Sequence, residues 1–160
     1  MSVAFRRESD EEHLEPKFEL PHPPGPNLVT ARGLALIEAR NAELEAAVAA
    51  EPTPEQLPVL QRDLRYWRVR LTTAQLAPPV SGEIVAFGTS VTIEQHGTTR
   101  TLELVGHDER DPTAGRIAFT APLAKALIGS EVGEEIEAPG PGGPIIVVAI
   151  EVRSEPKMEL

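Results

Sequence analysis

The stretch Ala77-Pro78-Pro79-Val80-Ser81-Gly82 separates two halves of the chain that obey different periodicities. Before it, apolar residues recur at spacings of three and four, the signature of a helical seam. After it, β-branched runs alternate with turn residues. One chain cannot satisfy both patterns in a single layer, so the sequence predicts a helical part followed by a strand-rich part. At 160 residues there is room for one domain of ordinary size or two small ones.

The helical part begins at Thr30, a residue suited to capping, and continues through Leu34, Ile37, Leu44 and Val48. Asn41 falls on the remaining seam position, where a polar residue sets register at some loss of stability. A second seam runs Leu57, Leu60, Leu64, Trp67, Leu71, Ala74. Thr53-Pro54-Glu55-Gln56 has the form of a helix start, with a cap, a proline at the first position and a glutamine closing a capping box. Pro58 would strip a hydrogen bond from the second turn, so the alternative is a helix that starts nearer Pro58 after a longer loop. Two helices with a short connection run antiparallel as a hairpin, each arm roughly 30 Å long at ~1.5 Å per residue. Trp67 and its neighbour Tyr66 read as packing residues.

Beyond the divide, Val85 to Gly88, Val91 to Ile93, Thr99 to Val105, Arg116 to Thr120 and Ile145 to Val152 read as strands. Gln95-His96-Gly97 and the segment from Asp108 to Gly115 read as turns. Pro122 to Gly129 reads as one short helix, opened by proline and stopped by glycine. The expected fold class is α+β: an N-terminal antiparallel two-helix coiled coil, then a twisted antiparallel sheet against one helix.

Residues 1–29 carry Pro16, Pro21, Pro23, Pro24 and Pro26 and the acidic cluster Asp10, Glu11, Glu12, with little to bury. They read as a disordered or extended arm, with Phe5 or Phe18 as pins. The expected boundaries are this tail at 1–29, the hairpin at 30–77, a linker at 78–83, a globular domain at 84–153 and a short tail at 154–160. With 15 Lys+Arg against 25 Asp+Glu, the net charge is -10, which opposes a broad basic nucleic-acid surface. Sequence-specific DNA binding is therefore not expected. There is no Cys, which removes disulfides, thiolate metal sites and a cysteine nucleophile. His13, His22, His96 and His107 have no ligand spacing, so no metal site is expected. No apolar run approaches a membrane span, and a cytoplasmic location is expected.

Several motifs in the second half carry a resemblance. Phe87-Gly88 with Val91, the turn Val105-Gly106-His107-Asp108-Glu109-Arg110-Asp111-Pro112 and the helix Pro122-Leu123-Ala124-Lys125-Ala126-Leu127-Ile128-Gly129 look like the C-terminal FKBP-like domain of the GreA/GreB transcript cleavage factors. Upstream, Leu28-Val29-Thr30 with Gly33-Leu34 is similar to the start of that family's coiled coil, and Leu71 to Leu76 to its end. Val132-Gly133-Glu134 stands where the family usually has Val-Gly-Asp.

The resemblance implies a factor that binds RNA polymerase, docking its globular domain at the secondary channel while the coiled coil reaches the active centre. It implies no enzyme of its own and no cofactor of its own. Acidic residues at the arm's tip would share a Mg²⁺ with the polymerase, whose own site cuts backtracked RNA. Here the family's Gly-Asp-x-Ser-Glu-Asn-Ala-type tip is missing and the arm is shorter. The tip candidates are Glu51 and Glu55, which otherwise read as helix-end and capping-turn charges. Loss of two turns would withdraw a tip by about 11 Å. Arg62, Arg65, Arg68 and Arg70 form a basic flank that would meet an RNA 3′ end or an acidic channel wall, or else pair with Glu38, Glu43 and Glu45. The resemblance places polymerase docking at Ala121, Pro122 and Leu123, where Ala121 replaces a family serine, and beside Asp108 and Glu109. The expected function is modulation of transcription elongation without efficient cleavage. The alternatives are a Rnk-like polymerase regulator with a short arm and a peptidyl-prolyl isomerase, the latter opposed by the scarcity of aromatic residues.

Overall fold

The computed structural model describes residues 19–152. The expected tail residues before Glu19, with Phe5 and Phe18, and the C-terminal tail lie outside them. The chain divides into two units: the residues up to Gly25 with Ala35–Ala74, and Pro26–Leu34 with the residues from Gln75 onward. Residues 26–34, expected to divide between tail and hairpin, thus group with the globular part.

The first unit holds most of helix α1 (Ala31–Ala49) and helix α2 (Leu57–Thr73). Ile37, Asn41 and Leu44 of α1 and Leu64 of α2 are buried, so the predicted seam is the one that packs. Asn41 reaches across it: its Nδ2 donates to the Ile37 carbonyl at 3.0 Å and to the Trp67 carbonyl at 2.9 Å. That bond to the facing helix is how one polar residue selects a register. Trp67 is half-buried, with Tyr66 edge-on at 5.2 Å and the Arg40 guanidinium 5.6 Å from its ring centre. Helix α2 begins at Leu57 with Pro58 in its first turn, where the missing N–H costs nothing. The residues before it still form the capping box. The Thr53 N–H donates to Gln56 Oε1 and the Gln56 N–H to Thr53 Oγ1, both at 3.3 Å.

The second unit is built on a five-stranded sheet of β3 (Thr89–Gln95), β4 (Thr98–Val105), β5 (Arg116–Ala118), β6 (Glu135–Ile136) and β7 (Ile145–Val152), in the order β5-β4-β3-β7-β6. Along β3, Thr89, Val91 and Ile93 face inward, and Ile145 and Val147 do so on β7. With Val85, Leu102 and Leu104 they close a core against Ala124 and Leu127 of the short helix α3 (Pro122–Leu127). A register shift between Thr92 and Ile93 marks a bulge where β3 meets β7. Gln95 pairs with Thr98 across a two-residue turn in which His96 and Gly97 both have positive φ, 53° and 74°. That is a type I′ hairpin at the predicted position.

Three expectations are corrected. Strand β5 runs parallel to β4, so the sheet is mixed rather than antiparallel. The chain between them turns through two short 3-10 segments (His107–Glu109 and Pro112–Ala114) and re-enters alongside β4 in the same direction. Val85 to Gly88 is not a strand. Val85 exchanges backbone hydrogen bonds with the end of the α3 loop instead, Val85 N–H to Ser130 O and Gly129 N–H to Val85 O, each at 2.8 Å. Ala86 and Thr89 then close a turn, Thr89 Oγ1 donating to Ala86 O at 2.7 Å. The expected strand from Arg116 to Thr120 ends at Ala118.

Strands β1 (Leu28–Val29) and β2 (Gln75–Leu76), which flank the helical hairpin in sequence, pair in parallel. Sequence reading missed this pair because two residues are too few for a periodicity. Gly106 lies against it so closely that a Cβ there would come 2.4 Å from the Leu28 carbonyl oxygen. Among the described residues no helix is long and apolar enough to cross a membrane.

Candidate functional site

Four sets of residues carry the chemistry expected from the sequence: the hairpin tip, the arginine flank of α2, the turn that follows β4 and the start of α3. At the tip, α1 stops at Ala49 and Glu51 adopts φ 55°, the left-handed conformation that glycine usually supplies after a helix. Glutamate is a poor choice there on two counts. Its Cβ crowds the backbone, and its charge sits at the negative end of the helix dipole. Glu55 lies inside the turn closed by Thr53 and Gln56, and both glutamates are exposed. No group of three or more His, Cys, Asp or Glu arranged for a metal ion occurs among the described residues.

The four arginines separate. Arg62 and Arg65 stay on one flank with Tyr66, since residues three and four apart share a helix face. Arg62 is half-buried and pairs with the adjacent Asp63 at 3.0 Å. Arg65 is exposed and grips both carboxylate oxygens of Glu19 through Nε at 2.9 Å, with Nη2 at 2.8 Å. That bond, followed by the nearby positive charges, holds the Glu19 carboxyl below its ordinary range. Arg68 turns towards α1, 3.7 Å from Glu45. Arg70 is buried, so it leaves the expected basic flank. A side chain removed from water presents no charge to a partner's surface, which takes Arg70 out of the flank and leaves Arg62 and Arg65, with Arg68 exposed beside Glu45. Arg40 and Glu43 form a separate pair along α1 at 2.8 Å.

Glu109 also changes role. Expected on a docking surface, it is buried and its carboxylate is held by the Thr30 hydroxyl and by Arg32 Nε. Arg32 Nη2 bonds Glu103 at 2.8 Å, and Thr30 Oγ1 also accepts from the Gly33 N–H at 2.9 Å, confirming Thr30 as the cap of α1. A Cβ on Gly33 would come 2.9 Å from Glu109 Oε1, so glycine is what lets the carboxylate approach. Glu109 is thus an anchor for the first turn of α1. Its neighbour Asp108 is half-buried. Asp111 caps the second 3-10 segment, accepting from the Thr113 N–H at 3.1 Å and the Thr113 hydroxyl at 2.6 Å.

Of the remaining docking residues, Pro122 is exposed and Leu123 half-buried at the start of α3. Ala121 sits at the N-cap with no side-chain cap, the consequence of lacking a hydroxyl. Phe87 and Phe119 pack edge to face at 5.3 Å. Sequence reading did not find the Thr30–Arg32–Glu109 anchor, whose partners lie 77 and 79 residues apart. It also did not find Glu19 on Arg65.

Comparison with known proteins agrees with the motifs. Residues 80–154 match the family described as "Transcription elongation factor, GreA/GreB, C-term". The chain is similar to transcription elongation factor GreA of Rhizobium etli (strain CIAT 652), 37% identical over 118 residues that make up 68% of this chain and 72% of that protein. It is also similar to GreA of Pseudomonas aeruginosa PAO1, 34% identical over 126 residues, 74% of this chain and 79% of that one. Among solved structures, GreA factor homolog 1 of Thermus thermophilus aligns with 79% of this chain and 99% of its own length at 18% identity and a TM-score of 0.40. The two-part α+β chain therefore belongs to the GreA/GreB family of transcription elongation factors.

Proposed function

We propose that this chain binds RNA polymerase at its secondary channel and modulates elongation without efficient transcript cleavage. In this reading the globular unit has the family's FKBP-like fold and docks at the channel rim through the start of α3, around Pro122 and Leu123. The helical hairpin enters the channel. Cleavage of RNA, where it occurs, belongs to the polymerase active site, and any Mg²⁺ is shared with that site. The setting is the cytoplasm, where the polymerase works.

The observation that carries the reading is the tip. Helices of 19 and 17 residues give an arm of roughly 25–28 Å at ~1.5 Å per residue. Its end offers two carboxylates, Glu51 and Glu55, on either side of Pro52-Thr53-Pro54. Two-metal hydrolysis needs carboxylates that converge on one cation at hard-oxygen distances. A proline-braced turn with its own capping box supports a blunt end that occupies space. The Arg62 and Arg65 flank supports a local contact with RNA phosphate near the 3′ end, since guanidinium forks hold phosphate and carboxylate alike.

The test is a halted, backtracked elongation complex with a cognate polymerase and Mg²⁺, in which shortening of the RNA is followed. The expected result is no acceleration over the complex alone, with wild type, Glu51→Ala and Glu55→Ala indistinguishable. Acceleration that disappears in either variant would establish a rebuilt cleavage tip and overturn the reading.

A further inference from the structure

The segment Glu19–His22 lies along α2 in the same unit, and it makes two contacts of different kinds. Glu19 fills the fork of Arg65. Three residues on, the His22 imidazole stacks on the Tyr66 ring, with centroids 5.2 Å apart and planes within 3°. Arg65 and Tyr66 are adjacent on the helix, so one short piece of chain satisfies both a charge and an aromatic face. An oxyanion on an arginine fork beside a flat heterocycle on an aromatic ring is the contact pattern of a nucleotide in a single-stranded RNA site.

We propose that Glu19–His22 is a strap that occupies, in cis, the place of one nucleotide of single-stranded RNA on the Arg65–Tyr66 face, and so regulates RNA contact by the arm. The proposal rests on the reading above that the arginine flank meets RNA. The assignment commits to RNA because a nucleotide supplies both an oxyanion for the Arg65 fork and a flat ring for the Tyr66 face from a single unit. The strap is suited to being displaced. Glu19 and Arg65 are both exposed, their side chains 60% and 52% accessible, and exposed pairs hold loosely.

The experiment uses the full-length chain and a labelled eight-nucleotide mixed-sequence RNA, with binding read by anisotropy at low and at high salt. A strap closed in roughly four molecules of five lowers apparent affinity about five-fold. The double variant Glu19→Gln/His22→Ala is therefore expected to bind the RNA about five-fold more tightly at low salt, with the gap narrowing at high salt. Arg65→Ala is expected to abolish both the binding and the gain. All three changes lie at exposed positions, and circular dichroism checks that the helices persist.

If Arg65→Ala loses binding while the strap variant matches wild type, the strap is overturned and the RNA flank stands. If neither wild type nor the strap variant binds RNA, or Arg65→Ala binds as well as both, the RNA reading of the flank falls and the strap with it. A polyglutamate peptide serves as the competing probe. Tightening towards that peptide but not towards RNA would overturn the nucleotide-mimic assignment in favour of an acidic protein partner.

Discussion

Glu51 is the residue whose local physics is least favourable. An L-residue at φ 55° costs about 1–2 kcal/mol relative to glycine, and this one carries a negative charge just beyond the C-terminal, negative end of α1. Glu51→Gly is therefore expected to stabilise the hairpin by about 1 kcal/mol, read as a rise in thermal midpoint. An unchanged or lowered midpoint would mean that Glu51 has a compensating partner. Asp111 behaves in the opposite sense. Its bonds from the Thr113 hydroxyl and N–H hold the carboxyl below its ordinary value of 3.8, against a smaller contrary effect of burial. A depressed folded value makes the turn's stability fully present above pH 3.8 and lost as pH falls through the lower folded value. Asp111→Asn should flatten the pH dependence of unfolding in that acid range and leave it unchanged near neutrality. An identical acid limb in both proteins would show that Asp111 contributes nothing there.

At the scale of elements, the residues with strong periodicity were legible. The seam through Ile37, Asn41, Leu44 and Leu64, the hairpin turn at His96-Gly97, the capping box at Thr53 and Gln56, and the strand Ile145–Val152 all follow from spacing and turn chemistry. What was hidden depends on contacts distant in sequence. Val85 looks like a strand residue, yet its backbone partners are Gly129 and Ser130. The parallel course of β5 depends on how the Asp111 turn closes, and nothing in Arg116–Ala118 itself encodes direction. Glu109 reads as one more surface acid until Thr30 and Arg32 are seen to hold it. Pairing of the arginines with α1 was the alternative reading, and Arg68 beside Glu45 follows it, whereas the burial of Arg70 does not show in the sequence. The β1–β2 pair makes its own prediction, since Gly106 allows Leu28 to approach. Gly106→Ala forces a Cβ to 2.4 Å from a backbone oxygen, which no rotamer can relieve. It should destabilise the globular unit by about 1–3 kcal/mol in denaturant unfolding. A loss under half a kcal/mol would indicate that the pair shifts freely.

For the whole molecule, membership of the family and the two-part α+β plan account for binding to polymerase as the proposed activity, and the short blunt tip accounts for its proposed character. In the proposed role the chain occupies the secondary channel without promoting cleavage, and a competition titration distinguishes that role from its alternatives. Backtracked complexes are supplied with a GreA factor that stimulates cleavage, and increasing amounts of this chain are added while the rate of RNA shortening is followed. A progressive, saturable fall towards the rate without GreA is expected. A rate that stays constant across the titration, or one that rises with this chain alone, would contradict it.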